Sequence, residues 1–178
     1  IRETGTSRTS IRPALLRLKY EGLVEMIPNR GAFVAKPSEE DLRQVYRVRE
    51  VLEHGMLEDA IRHRTEAQLR AMEENLKAQE VLTQHYSRQE YVTLNHTFHW
   101  LVVEASANKY YEKYLNELQN KVATYLLFWD TSTTNSLSLD LHLRIFEAFR
   151  DRDEQKGVLA LMEDLQLAEE CVREAQQL

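Results

Sequence analysis

Apolar positions along this chain change their period twice. Ile11, Ala14, Leu15 and Leu18 recur at i, i+3, i+4 and i+7, the stripe of an amphipathic helix. Ser7 to Ser10 offer hydroxyl caps ahead of it, and Tyr20-Glu21-Gly22 ends it. With Ser10 as N-cap, Pro13 falls at the third helical position, whose N–H lacks an intrahelical partner anyway. The regular helix is therefore expected from about Ser10, with residues 7–9 as a looser first turn. Alternation follows: Leu23-Val24-Glu25-Met26-Ile27, a Pro28-Asn29-Arg30-Gly31 turn, then Ala32-Phe33-Val34-Ala35 read as a β-hairpin.

After Pro37 the helical period returns and stays. Ser38 caps a helix running to about Arg62, with Leu42, Val45, Leu52, Met56 and Ala60 on its inner side. Arg49 and Glu53 share that face, four residues apart. Thr65 caps a helix over 66–84. Ser87, with Glu90 three later, caps one over 88–105, and Asn108 one over 109–129. A polar loop spans Asp130 to Asn135, a fifth helix covers 137–150, and Asp153 caps a last one over 154–176. Six helices with short connections predict an all-α bundle. The fold class is mainly α: a winged helix-turn-helix over 1–37 and a six-helix bundle over 38–178. Ile1 to Thr4 reads as the end of a helix stopped at Gly5, so a further helix is expected ahead of this segment.

Composition agrees with this division. The five Gly and three Pro concentrate before residue 38, which leaves the remainder poor in helix breakers. Residues 1–36 carry seven Lys and Arg against three acids; the rest carry 16 against 26. The overall charge of −6 thus conceals a basic head on an acidic body, as a nucleic-acid-binding module joined to a partner module would have. One cysteine, Cys171, permits no intrachain disulfide, and no apolar run approaches the length of a membrane span. A cytoplasmic protein without membrane attachment is expected.

The ordered motifs identify a family. Ser7-Arg8-Thr9-x-x-Arg12-x-Ala14-Leu15-x-x-Leu18-x-x-Glu21-Gly22-Leu23-Val24, followed by Pro28-Asn29-Arg30-Gly31-Ala32-Phe33-Val34, closely resembles the winged helix of GntR-family bacterial transcription regulators. Arg49-x-x-Leu52-Glu53, Asn95-x-x-Phe98-His99, Ala105-x-Ala107-Asn108 and His142-x-x-Ile145-x-x-Ala148 leading to Asp153 resemble the FCD ligand-binding domain of the FadR subfamily. Two departures stand out: Ser10 where the family often has proline, and Pro13 where it often has an acid.

For DNA, the resemblance implies that Arg8, Thr9 and Arg12 contact operator bases and phosphates, and that Arg30 and Gly31 form a wing tip reaching the minor groove. Arginine suits these places because its planar fork matches guanine edges and phosphates. For the body, it implies a divalent metal held by an Asp or Asn and three histidines. Asn95 and His99, four apart on one helix face, match the first pair, and His142 the next. Asp164 stands where the last histidine is expected. Two imidazoles and a carboxylate suit Zn, Ni, Mn or Fe. The competing reading is a degraded site whose buried polar groups bond one another.

Arg49 is the candidate anchor for a small organic-acid effector; alternatively it forms only a structural pair with Glu53. Trp100, Tyr125, Phe128 and Trp129 suit a cavity wall or plain core. His54, His63, His85 and His96 lie toward polar faces and receive no role. The implied function is a homodimeric transcription regulator, a repressor relieved by a metabolite. The alternative is a metal-dependent helical-bundle enzyme. It leaves the basic head unexplained, and the sequence offers it no general base beside the ligands, no nucleophile paired with histidine and no phosphate loop.

Overall fold

The computed structural model describes residues 8–36, 38–128 and 134–176, with side chains described for 11–36, 38–126 and 137–174. The chain divides into two compact units, residues 1–37 and 38–178. The expected helix end at residues 1–5 lies outside the described residues.

The first unit comprises α1 (Arg8–Tyr20), β1 (Val24–Ile27) and β2 (Gly31–Val34). A Schellman motif stops the helix: the Leu23 N–H donates to the Leu18 carbonyl at 2.9 Å and the Gly22 N–H to Lys19 at 3.0 Å. Gly22 takes φ +74, which a side chain would resist. The antiparallel hairpin pairs Val24 with Val34 and Ile27 with Gly31. Arg30 N–H closes its turn onto Ile27, with Pro28 second and Asn29 third at φ +60, the type II pattern.

Two expectations for this unit need correction. α1 is already regular at Arg8, so Pro13 stands in the helix interior rather than at its third position. Proline has no N–H to give the Thr9 carbonyl. Pro13 is solvent-exposed, so water can serve that carbonyl instead. Ile11, Leu15 and Leu18 are half-buried, but Ala14, at the margin of the stripe, is exposed.

The second unit holds α2 (Glu39–His63), α3 (Glu66–Leu82), α4 (Arg88–Ala105), α5 (Lys109–Phe128), α6 (Thr134–Asp151) and α7 (Glu154–Gln176). Side-chain caps fix five starts. The Ser38 side chain accepts from Asp41 N–H, and Thr65 forms a reciprocal box with Gln68. Ser87, Asn108 and Asp153 accept from the N–H groups of Glu90, Tyr110 and Lys156. α6 starts at Thr134, three residues before its expected start, so Thr134 and Asn135 belong to the helix and not to a loop. Residues 130–133 of that loop lie outside the described residues, as does Trp129, expected at the end of the preceding helix. No described helix is long and apolar enough to cross a membrane.

α7 packs on α6 and α2, α3 on α4 and α6, and α4 on α5 and α2. Their apolar stripes form two clusters. One gathers Met56, Leu57, Phe98, Leu115, Phe149 and Leu161; the other gathers Leu42, Tyr46, Tyr91, Tyr125 and Leu165. On α2, α3, α5 and α7 the sequence passes from one cluster to the other through buried polar residues: Arg49 and Glu53, Gln79, Gln119, and Asp164. A polar layer therefore separates two apolar cores.

Gly157 allows α7 to close on its neighbours. A Cβ there would lie 2.6 Å from Ile61 Cδ1, 3.2 Å from Leu57 Cδ2 and 3.3 Å from Ala148 Cβ. Gly157→Val is expected to lower unfolding free energy by about 1–3 kcal/mol in urea titrations, overpacking outweighing improved helix propensity. A variant as stable as the parent would contradict this packing.

Candidate functional site

Every helix of the second unit sends a polar side chain into the layer. Arg49 and Glu53 come from α2, Gln79 from α3, His99 from α4, Gln119 from α5, His142 from α6 and Asp164 from α7. All seven are buried. Polar residues at stripe positions of amphipathic helices reach such a place because the apolar residues around them must be buried.

His99, His142 and Asp164 lie close enough to share a cation, their potential ligand atoms all within 4.8 Å of one another. His99 Nε2 is 3.2 Å from Asp164 Oδ2, and His142 Nε2 is 3.6 Å from Asp164 Oδ1. The His142 ring stacks on Phe98 at 4.2 Å between centroids and meets His99 edge-on at 5.1 Å. Burial drives the His142 pKa down to about 3 against the upward pull of Asp164, so the imidazole is neutral. Burial pushes the Asp164 carboxyl upward, but His142, the hydrogen bond from His99 and Arg49 together hold it below its ordinary value.

A hydrogen-bonded chain fixes the tautomer of His142. The Leu94 carbonyl can only accept, so Asn75 Nδ2 donates to it at 3.2 Å. That leaves Asn75 Oδ1 to accept from Gln79 Nε2 at 2.6 Å. Gln79 Oε1 then faces His142 Nδ1 at 2.8 Å, so Nδ1 carries the proton. The lone pair of Nε2, which has no hydrogen-bond partner among the described residues, is turned toward Asp164 and His99.

Arg49 occupies both of its expected places. Its Nε donates to Glu53 Oε1 at 2.6 Å in an ion pair buried on both sides. Its terminal nitrogens make no hydrogen bond among the described residues. It also lines a cavity with Asn95, His96, His99 and Gln119. Asn95, half-buried, thus stands beside His99 as its spacing suggests. The cavity is tight and has room for about one water. Four buried polar atoms of its lining lack a hydrogen-bond partner among the described residues: His96 Nε2, His99 Nδ1, and both amide atoms of Gln119.

Several residues depart from expectation. His96, placed toward a polar face by its sequence, is half-buried at the cavity. Trp100 and Tyr125 follow the plain-core reading given for them: Tyr125 is buried in the second cluster with its hydroxyl donating to Asp41, and Trp100 packs on the first with Nε1 donating to Glu104 at 2.8 Å. The side chain of Phe128 lies outside the described residues. Asn75, Gln79 and Gln119 were not singled out by sequence. Their signal was an amide at a stripe position, between Met72 and Leu82 on α3 and between Leu115 and Val122 on α5.

On the first unit, Arg12 is exposed on α1, while Arg17 is tied to Glu21 at 2.8 Å. Arg30 stands on the hairpin turn with its guanidinium 5.5 Å from the Phe33 ring centre, and Gly31 follows at φ +108. Arg8 and Thr9 belong to the first turn of α1, with side chains outside those described.

The FCD domain family model matches residues 44–167. The HTH-type transcriptional repressor RspR of Escherichia coli strain K12 is 28% identical over 173 residues, covering 96% of this chain and 75% of that protein. Among solved structures, McbR/YncC of E. coli superimposes with a TM-score of 0.87 at 18% identity, over 97% of this chain and 83% of its own. A GntR transcriptional regulator from Rhodococcus sp. RHA1 gives a TM-score of 0.82 at 21% identity, over 96% and 82%.

The amide chain makes a spectroscopic prediction. In Gln79→Leu, His142 Nδ1 loses its acceptor, and the proton is expected to move to Nε2 facing Asp164. Imidazole 15N NMR reads this directly. An unchanged Nδ1–H signature would mean that Gln79 does not set the tautomer.

Proposed function

The chain belongs to the GntR-type transcription regulators that carry an FCD domain, and from that premise we propose how it is controlled. Residues 1–37 form the DNA-binding head, and residues 38–178 form the sensing and dimerising body. A small organic acid, bound in the body beside a divalent metal ion, sets the affinity of the head for operator DNA. The regulator is a cytoplasmic homodimeric repressor released by that acid.

The observation that carries this reading is the convergence of polar side chains from six helices on one enclosed layer. His99, His142 and Asp164 would hold the metal, with Asn95 the neutral fourth ligand. Their fit rests on a deprotonated His142 Nε2 with no other partner and a carboxylate held ionised beside it. Such a donor set suits Zn, Ni, Mn or Fe. Such an ion would supply positive charge that attracts an anion.

Charge supports the same reading. Among the acidic and basic side chains of the layer, Arg49 contributes +1 and Glu53 and Asp164 −1 each, a sum of −1. A divalent cation turns that to +1, and one carboxylate closes it to zero. Buried charge left uncompensated is costly, so metal and acid favour one another. Arg49 offers its terminal nitrogens to the acid. Because the cavity has room for about one water, a larger ligand favours a wider arrangement of the helices around it, and that difference is what a regulator needs.

In the head, Arg8, Thr9 and Arg12 read the major groove, and Arg30 and Gly31 reach the minor groove from the hairpin tip. A two-fold operator follows from a dimer.

Two experiments test these roles. Arg12→Ala is expected to weaken operator binding by about 1–3 kcal/mol in salt-dependent titrations while the thermal melt is unchanged. Full affinity would refute the assignment of α1 to the groove. Elemental analysis of the purified protein should find a divalent metal that His99→Ala loses. The metal-replete parent should gain about 2.7 kcal/mol of stability at a hundredfold excess over Kd. Equal metal content in parent and variant would remove His99 from the site.

A further inference from the structure

Gln119 is buried to 4% exposure on α5, yet both atoms of its amide lack any hydrogen-bond partner among the described residues. Leaving such a group without a partner in a protein interior is costly. Most buried amides avoid this. Asn75 and Gln79, in the same bundle, are fully engaged with each other, Leu94 and His142. Gln119 instead lines the cavity shared by Arg49, Asn95 and His99. The Gln119 amide and the Arg49 guanidinium, whose terminal nitrogens make no hydrogen bond among the described residues, thus face the same cavity.

The chemistry of an amide narrows what that ligand is. Nε2 can only donate and Oε1 can only accept. A plain carboxylate pairs with Arg49 but offers Oε1 nothing. An oxo group accepts from Nε2 and still leaves Oε1 unsatisfied. A hydroxyl both donates and accepts, so it alone among these completes the amide.

Resting on the reading of this cavity as the effector site, we infer that Gln119 is its specificity-determining residue and that the effector is a hydroxycarboxylate. Arg49 takes the carboxylate and Gln119 reads the hydroxyl. A site built to bond a hydroxyl discriminates strongly against analogues lacking it, because its own polar atoms are then left unpaired.

The test is calorimetric, on the full chain equilibrated with zinc and again after chelation. Propanoate, 2-oxopropanoate and 2-hydroxypropanoate form one series; butanedioate and 2-hydroxybutanedioate form a second, larger one. The expected result is that within at least one series the hydroxy acid binds tighter than its deoxy and oxo partners by about tenfold or more. Gln119→Met, matched in volume, is expected to bring the hydroxy acid to the affinity of its deoxy partner. The same variant, without ligand, is expected to melt no lower than the parent, since it removes two unsatisfied atoms. Acids that bind regardless of their hydroxyl, or discrimination that survives in Gln119→Met, would overturn the role of Gln119 and leave the effector cavity standing. Binding of none of the five acids would overturn the effector reading and this inference with it.

Discussion

A carboxylate at the centre of an apolar bundle obliges everything near it to compensate. Asp164 is such a group, 3% exposed and flanked by two imidazoles within 3.6 Å. Burial opposes its charge, and the groups that sustain it come from three other helices: His99 on α4, His142 on α6 and Arg49 on α2. Those groups have demands of their own. Arg49 requires Glu53, and His142 requires Gln79, which requires Asn75 and the main chain at Leu94. One buried charge thus propagates an ordered network across the bundle, and the two apolar clusters hold it from either side.

This arrangement separates stability from response. The apolar clusters hold the helices together through non-directional contact, which tolerates small shifts. The layer between them depends on direction: donors, acceptors and a fixed tautomer. A change of occupant in the layer therefore alters which helix arrangement is favoured without dissolving the cores. Buried ion pairs such as Arg49–Glu53 contribute little net stability against apolar replacements, but breaking one side of such a pair is strongly unfavourable. Their place here fits a role in specifying a geometry.

The sequence disclosed what is local. Ser38, Thr65, Ser87, Asn108 and Asp153 each cap a helix with a neighbour two or three residues away, so a short window contains the whole interaction. Gly22 was legible for the same reason. The start of α6 was not, because a polar run from Asp130 to Asn135 reads as loop, while Thr134 and Asn135 join a helix secured by Leu139, Leu141 and Ile145 further on. Pro13 misled because capping chemistry favoured a later start than the helix has. Within the polar layer, histidines and an acid carry a chemical signature in sequence; Gln79 and Gln119 carry none until their partners, or lack of partners, are seen in space. Arg49 and Glu53 were visible as a pair, but the cavity against Arg49 depends on α4 and α5.

The closed state of that cavity has a consequence in time. With room for about one water, it admits a larger molecule only when α4 and α5 part from their neighbours. Entry then waits on the breathing of the bundle, and association falls below the roughly 10⁵–10⁷ M⁻¹s⁻¹ of preformed surfaces. Exit waits on the same motion. Under the proposed function, slow entry and exit would make the protein average the effector concentration it meets, ignoring brief surges and holding its state after the supply has fallen.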